Sequence, residues 1–580
     1  MIAILFSWLV IFVVCSSFGH ICISAYNSFG KQIEKYNWLD VSLIGMCVVS
    51  LTISVISLFC PIDEVAFFIL SGIALVYLLI NRPLRNGLLR SITNLWKRLS
   101  AFEVAIGLSL IVFLILISIW APDDYDPAYY HYQNIAWNER FSVVPGLANI
   151  EDRFGFNSNM LLLYALFSLK FLFADYIFAF QSFFALLLLL WILSEISRNR
   201  GNLCRIVILF VFLVFIISSP SAISNTSTDV LPNLVALYLI ARILIYPDSL
   251  RSSYLLYILL PVTMLTFKVS SVFLCILSLY LFVMLLKNKE YKRFIAFLLM
   301  SACIIAPWLV RNVIISGYLI YPMFEIDLFS FDWKVPIETA ENQRKYMAIV
   351  ANERHWFRLL KTIKVIFTKG EFDFTKDYFL HAVIHVFTAV CALISLITLL
   401  VKLVKRQRIQ THICLIGAII ACTLLYWFFS ARDYRFVYGV LLSVMLFCSF
   451  ILFPNYKLNK SVAYVVLSII TIASLVFSVN WSRQYYMQIE KYEKYPFGRM
   501  VYTPYLISDK LRNFDYSKLE PYHINENTVI YISRYYGGCS YTILPTVAVF
   551  ESDSKAQDIK TVEMRGDSLQ EGFRTKSNSN

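Results

Sequence analysis

Apolar runs of roughly 16–24 residues recur along this 580-residue chain, and each is long enough to cross a bilayer as a helix. That repetition restricts the fold more than any motif does. In hydrocarbon every backbone N–H and C=O must be satisfied internally, which leaves helices or closed barrels. Runs of this length read as helices. The chain is 59% hydrophobic and only 15% charged, too little polar surface for a soluble body of this size. The reading is an all-α polytopic membrane protein. Ile2–Ser24 lacks a basic start and a small-residue cleavage site, so it reads as a first spanning helix and not as a signal peptide.

The hydropathy pattern places about fourteen crossings, near 2–24, 39–60, 65–81, 102–120, 176–197, 203–219, 229–246, 253–267, 269–286, 294–308, 379–401, 411–429, 434–453 and 462–480. The net charge of +13 then reports topology, because short loops rich in Lys and Arg stay cytoplasmic. The loops 25–38, 82–100, 198–205, 247–252, 287–293, 402–410 and 454–461 carry 21 Lys/Arg against 3 Asp/Glu. They net +18, so the remainder of the chain nets −5. This sidedness argues against a polyanionic partner such as nucleic acid. Asn157–Phe173 is left out as a crossing: the run is short, Lys170 suits an interfacial position, and a crossing there would invert the basic loops downstream. Of the twelve cysteines, most lie in or beside the apolar runs, where they act as small hydrophobes, and no CxxC or Cys/His spacing marks a metal or redox site.

The expected organisation is a three-helix membrane segment over 1–100 and a membrane module over 101–323 with an outer loop at 121–175. An outer amphipathic loop follows at 324–378, then a four-helix segment over 379–480. Residues 481–580 carry 13 Lys/Arg and 12 Asp/Glu, and read as a small α+β domain on the outer face. In it, Thr528–Ser533 and Tyr541–Val549 look like strands about a Gly537-Gly538 turn.

Charged residues in so apolar a chain are where chemistry is sought. Asp123, Asp124 and Asp126 follow the run Ala105–Trp120 directly, in "APDDYDPAYYHYQ". The plain reading of Asp126-Pro127 is an N-cap with Pro at the first helical position, and that of the tyrosines an interfacial belt. A cap accounts for one aspartate of three. Asp229 in "SNTSTDVLPNL" has the same plain reading, a charge at a helix start. Lys268, Arg311, Arg432 and Arg435 interrupt or border apolar runs, where anchoring and local ion pairing are the ordinary roles. Taken together these acids and bases, with His131 and Arg153 of the first loop, fall on one membrane face. Cations at that depth suit a lipid-linked phosphate, and a carboxylate suits removal of a proton from an acceptor hydroxyl.

In "PDDYDPAYYHYQ", "FNSNMLLLYALFSL", "SFFALLLLLWILSEISRNR", "TSTDVLPNLVALYLIAR", "MLTFKVSS" and "PWLVRN…SG…YP" the chain resembles the GT-C glycosyltransferases, which use polyprenyl-phosphate sugars. The likeness covers roughly Phe102–Met323. Over most of its length the chain also looks like a group of large bacterial polytopic membrane proteins, through "YHYQNIAWNERFSVVPGLANIEDRFGFNS", "WFFSARDYRFVYG" and "CSYTILPT…VEMRGDSLQEGF", a resemblance that brings no activity with it. The GT-C resemblance implies a GT-C-like membrane module in the bacterial cytoplasmic membrane, with its active face outside. It implies an inverting sugar transfer from a polyprenyl-phosphate donor to a glycan, lipid or protein acceptor. Asp126 would be the base, with Asp124 and Asp123 as the other candidates. Asp229, His131 and Arg153 would bind substrate, and Lys268, Arg311, Arg432 and Arg435 the carrier phosphate. Such donors generally need no metal, and no cofactor is expected. The family's compact Asp-Glu pair is absent here, replaced by "DDYD". The competing readings are an O-antigen-polymerase-like enzyme with a pyrophosphate-linked donor, in which arginines would matter more than acids, and a lipid-linked glycan transporter or flippase. The latter would carry charges along mid-helix and two related halves.

Overall fold

The computed structural model describes residues 1–29, 34, 36–120, 125–173, 176–369, 379–490, 501–502, 514–534, 538–548 and 559–576. Most of these are helical. The first helices are α1 (Ile2–Phe29), α2 (Trp38–Ile56), α3 (Glu64–Ile80), α4 (Arg82–Arg98) and α5 (Ala101–Ser118). The first loop carries α6 (Tyr132–Arg140), α7 (Asn159–Leu166) and α8 (Lys170–Phe173). Then come α9 (Phe180–Arg198), α10 (Leu203–Ser218), α11 (Pro220–Ser224), α12 (Val230–Ile245), α13 (Ser249–Ser252), α14 (Tyr254–Phe267), α15 (Cys275–Lys287) and α16 (Tyr291–Ser316). The remainder are α17 (Ile337–Val350), α18 (Phe357–Lys369), α19 (Phe379–Val404), α20 (Thr411–Phe429), α21 (Tyr438–Leu452) and α22 (Lys460–Glu490).

Among the described residues nine helical segments are long and apolar enough to cross a membrane, or ten if the bent pair α3–α4 counts as one. The chain is therefore a multi-pass membrane protein, but not one of fourteen full-length spans. Four of the expected crossings, α10, α12, α14 and α21, are only 14–16 residues long. At 1.5 Å per residue they rise about 21–24 Å, short of the hydrocarbon thickness. The ends of α10, α12 and α14 fall within one residue of those expected, so hydropathy located these helices and overrated only their capacity to span; α21 alone starts four residues later than expected. A fifth, the stretch after Asp63, ends at Ile80, where the chain turns by 82° into α4. The residues expected as a basic loop at 82–100 are thus mostly a helix. Asn157–Phe173 is not among the helices long enough to cross: α7 has eight residues, all buried, and α8 after it is partly exposed.

Close packing of small residues fixes the first helices. Gly19 of α1 and Gly45 of α2 sit where a Cβ would run into the carbonyl oxygens of Val41 and Cys15, so the two backbones touch. At the far end of α12, Arg242 and the fully buried Asp40 of α2 form an ion pair at 2.8 Å. Arg242 also donates to Tyr257 Oη and Ser253 Oγ, and Asp40 accepts from Tyr238 Oη and the Asn37 N–H.

The C-terminal region contains a three-stranded sheet, β1 (Leu519–His523), β2 (Val529–Ser533) and β3 (Thr546–Ala548), in that order. A two-stranded ladder, β4 (Val562–Met564) with β5 (Phe573–Thr575), follows. The first expected strand is present, but of the second, Tyr541–Val549, only Thr546–Ala548 is a strand among the described residues, and the two pair in parallel, Ile532 beside Val547, so they are not a hairpin. The hairpin partner of β2 is β1, antiparallel. Gly537 of the expected turn lies outside the described residues, and the described part of the segment between β2 and β3 is held on α6 and the turn before it. Cys539 N–H donates to Ala128 O, and Gln133 Nε2 to Ser540 O and Ile543 O. One core serves both parts: Tyr129, Trp137, Val144 and Phe154 of the first loop pack with Ile530, Val547 and Phe573 of the C-terminal region.

A candidate site at one end of the helix bundle

The loop and helix ends that carry the conspicuous charges meet at one end of the bundle. Asp126 opens the π-helical turn Pro127–His131 that leads into α6. Asp229 precedes α12, Lys268 stands at the break between α14 and the 3₁₀ turn Val269–Leu274, and Arg435 lies in the link from α20 to α21. Asp126, Asp229 and Arg435 line a cavity of about 320 Å³ together with Tyr125, His131 and Asn233, and serines of the Ser218–Ser227 segment complete its wall; Lys268 is outside the lining, paired with Asp229.

Neither aspartate is spent as a cap. Asp126 is itself in helical conformation and makes no side-chain cap bond, and the same holds for Asp229. Asp126 Oδ2 instead accepts from Arg435 Nη1 at 2.7 Å, and Arg435 Nε reaches Asp433 Oδ2 at 2.7 Å. Lys268 Nζ lies 2.8 Å from Asp229 Oδ1 and over the Phe436 ring at 4.7 Å. The two ion pairs bring four separate parts of the chain together, and three of the four side chains, Asp126, Asp229 and Arg435, line the cavity. Burial opposes ionisation of Asp126, but the charge of Arg435, with those of Arg153 and Lys268, outweighs it and holds the carboxyl well below the usual carboxylate range. His131 is 3% exposed and its Nδ1 is 3.1 Å from Thr226 Oγ1. Burial pushes its imidazole down to about 4, against the pull of Asp126. It is a neutral ring at physiological pH.

Asn233 carries no charge and gave no sequence signal beyond standing one turn after Asp229. It is buried, and its Nδ2 donates to Asp229 O and Arg435 O while its Oδ1 accepts the Gly439 N–H at 2.8 Å. A Cβ at Gly439 would run into Asn233 O. Asn233 therefore locks the Asp229 helix to the Arg435 loop. Lys268 is positioned from the same loop, because Ser270 Oγ donates to Phe436 O at 3.2 Å.

The remaining expected site residues stand elsewhere. Arg153 does not line the cavity. Its guanidinium is packed 3.9 Å over Tyr129 and donates to Tyr125 Oη, backing the Tyr125 wall from behind. Arg432 donates to Phe428 O and lies over the Phe428 ring, an anchor rather than a cavity cation. Arg311 was expected at a helix end, but α16 continues through Pro307 to Ser316. It is 2% exposed and hydrogen-bonded to Ser57 Oγ, Asn138 Oδ1 and Asn157 Oδ1, so it joins α16 to the first loop. Asp123 and Asp124 lie outside the described residues. Among the described residues no three His, Cys, Asp or Glu side chains are close enough together to hold a metal ion.

A family model described as a domain of unknown function, DUF8201, matches residues 1–442, which contain every charged residue of the cavity. No curated protein and no solved structure matches the chain.

Proposed function

The chain belongs to the DUF8201 family, and for it we propose a GT-C-like glycosyltransferase that moves a sugar from a polyprenyl-phosphate carrier to an acceptor at the outer face of the bacterial cytoplasmic membrane. The observation that carries the reading is one cavity lined by Asp126, Asp229 and Arg435 where helices end, with Asp126 paired to Arg435 and Asp229 paired to Lys268 just outside the lining. The serines and Asn225 of the wall offer hydroxyl and amide partners to a sugar. The orientation is inferred from the basic residues collected at the opposite end of the bundle.

In the resting site Arg435 and Lys268 are occupied by carboxylates. A carrier phosphate competes for both cations, and Arg435 suits its oxygens with a planar fork of donors. As Arg435 turns from Asp126 to phosphate, the carboxylate loses its nearest positive charge, and its proton affinity rises. Asp126 then accepts the acceptor's hydroxyl proton. The acceptor oxygen forms a bond to the sugar's anomeric carbon as the bond from that carbon to the phosphate oxygen breaks. The electron pair leaves with the phosphate, whose charge Arg435 and Lys268 stabilise. Attack opposite the leaving group inverts the anomeric centre. Asn233 keeps Asp229 and the Arg435 loop in register.

The test is transfer of label from radiolabelled polyprenyl-phosphate sugars in membranes free of other glycosyltransferases. Asp126→Asn should lower transfer by about 10²–10⁴, the range for loss of a positioned base. Normal transfer by Asp126→Asn removes it from the chemistry. No transfer by the wild type from any carrier sinks the enzyme reading.

A further inference from the structure

The basic segment 82–98 is not needed by the site and lies at the other end of the bundle. Arg200 marks that end: it pairs with Glu103 at the start of α5 and donates to Arg98 O, just after α9 finishes. Nineteen residues of α9 separate it from Phe180, or about 28 Å of rise.

Three features set α4 apart among the described residues. It leaves α3 at 82°, so it runs across the bundle axis rather than along it. It carries Arg82, Arg85, Arg90, Lys97 and Arg98 and no acid, and of these Arg85 is turned back on the carbonyls of Leu78 and Leu79. Its apolar arc is also split. Leu84 is buried, whereas Leu89, Ile92 and Trp96, adjacent on the same face, are 60%, 61% and 67% exposed. Water is a poor neighbour for three such side chains on one short helix. Lipid acyl chains beside the spanning helices satisfy them, and Trp settles at the headgroup level.

We propose that α4 is an in-plane helix that binds anionic phospholipid headgroups. Leu89, Ile92 and Trp96 enter the acyl boundary, and Arg82, Arg90, Lys97 and Arg98 gather the lipid phosphates. The lipid is favoured over an acidic protein by charge complementarity joined to geometry. The helix turns at the end of α3, an apolar segment of 17 residues whose side chains are largely exposed, so its own exposed apolar arc continues that surface. This site is independent of the transfer reaction.

Full-length protein is reconstituted, one copy per nanodisc, in phosphatidylcholine alone or mixed with phosphatidylglycerol. Hydrogen exchange of segment 82–98 is followed by mass spectrometry. Exchange should be slower with phosphatidylglycerol, and added salt should reverse this. Each of Arg90→Gln, Lys97→Gln and Arg98→Gln should reduce the protection by about fivefold, the weight of one basic side chain at an anionic surface. Exchange at 127–140 serves as the check that a variant is folded. If a variant fails it, the wild-type comparison of the two lipids still decides. Equal exchange in both lipids overturns the proposal. Protection that needs two copies per disc overturns it in favour of self-association. Protection by inorganic phosphate equal to that by phosphatidylglycerol overturns it in favour of a simple anion site.

Discussion

Replacing Arg242 by Met should be among the most damaging single changes in the membrane part of the protein. Asp40 is fully buried and lies 2.8 Å from Arg242, whose side chain is 8% exposed. At that distance, with an effective dielectric constant of about 20, the Coulomb attraction is roughly 6 kcal/mol. Most of it offsets the desolvation of the two charges, so the net contribution of the pair is small. Removing only the cation forfeits the attraction and leaves the carboxylate buried, which costs about 3–5 kcal/mol. Asp40→Asn combined with Arg242→Met removes both charges. It should recover most of that loss, with a coupling energy of about 2–4 kcal/mol. The same pair sets the axial position of α12, whose other end presents Asp229 and Asn233 to the cavity. Reversible unfolding of the single and double variants in one detergent, read as free-energy differences, is the assay. An Arg242→Met penalty below about 1 kcal/mol would refute the reasoning. So would a double variant as unstable as the sum of the singles.

His131 gives a pH dependence of known sign. Its folded value of about 4 lies below the ordinary 6.5, so the unfolded chain binds more protons between those values. Stability is full above about pH 6.5 and falls as pH drops toward 4, by about 3 kcal/mol. Unfolding at pH 4.5 and 7 should show this, and His131→Gln should flatten it. Asn233→Ala removes three hydrogen bonds within the buried link. It should cost about 1–3 kcal/mol in thermal unfolding, and a normal melting temperature would count against the proposed lock. Gly439→Ala forces α21 away from Asn233 O and should cost about 1–3 kcal/mol as overpacking. Arg311→Met leaves Ser57, Asn138 and Asn157 without their shared donor. It should lower stability without the change in donor binding expected of Lys268→Met, measured as carrier-lipid affinity.

The charges of the cavity were legible because a charge in an apolar chain is costly and has to be accounted for. Asp126, Asp229, Lys268 and Arg435 stood out on that ground, and the fold brings them together. Arg311 and Arg432 stood out equally and went elsewhere, since cost alone does not say which partner meets it. Asn233 and Tyr125 carry no such cost, so nothing distinguished them from ordinary polar and interfacial residues. Spans were legible by the same logic where helices are long. Hydropathy located α12 and α14 almost to the residue but took them for spans, because apolarity alone does not weigh length, and the segment after Asn81 read as a loop although the Asn81 side chain caps α4 there. Strand pairing was lost for a different reason: whether β2 and β3 run parallel is decided by what holds the chain between them. That support is α6, some 400 positions earlier.

The core shared by the first loop and the C-terminal sheet also imposes an order in time. Tyr129, Trp137 and Phe154 are synthesised long before Ile530, Val547 and Phe573, the residues that cover them. Until those arrive, the helix beginning beside Asp126 has only half its packing, and the Tyr129 hydroxyl lacks the Ala548 carbonyl it donates to. The membrane helices can insert and gather in sequence as they emerge, but the cavity wall waits. A chain stopped after its last long apolar helix would therefore be inserted and yet have no finished site. Packing of the first loop is thus completed only after the C-terminal sheet has been made.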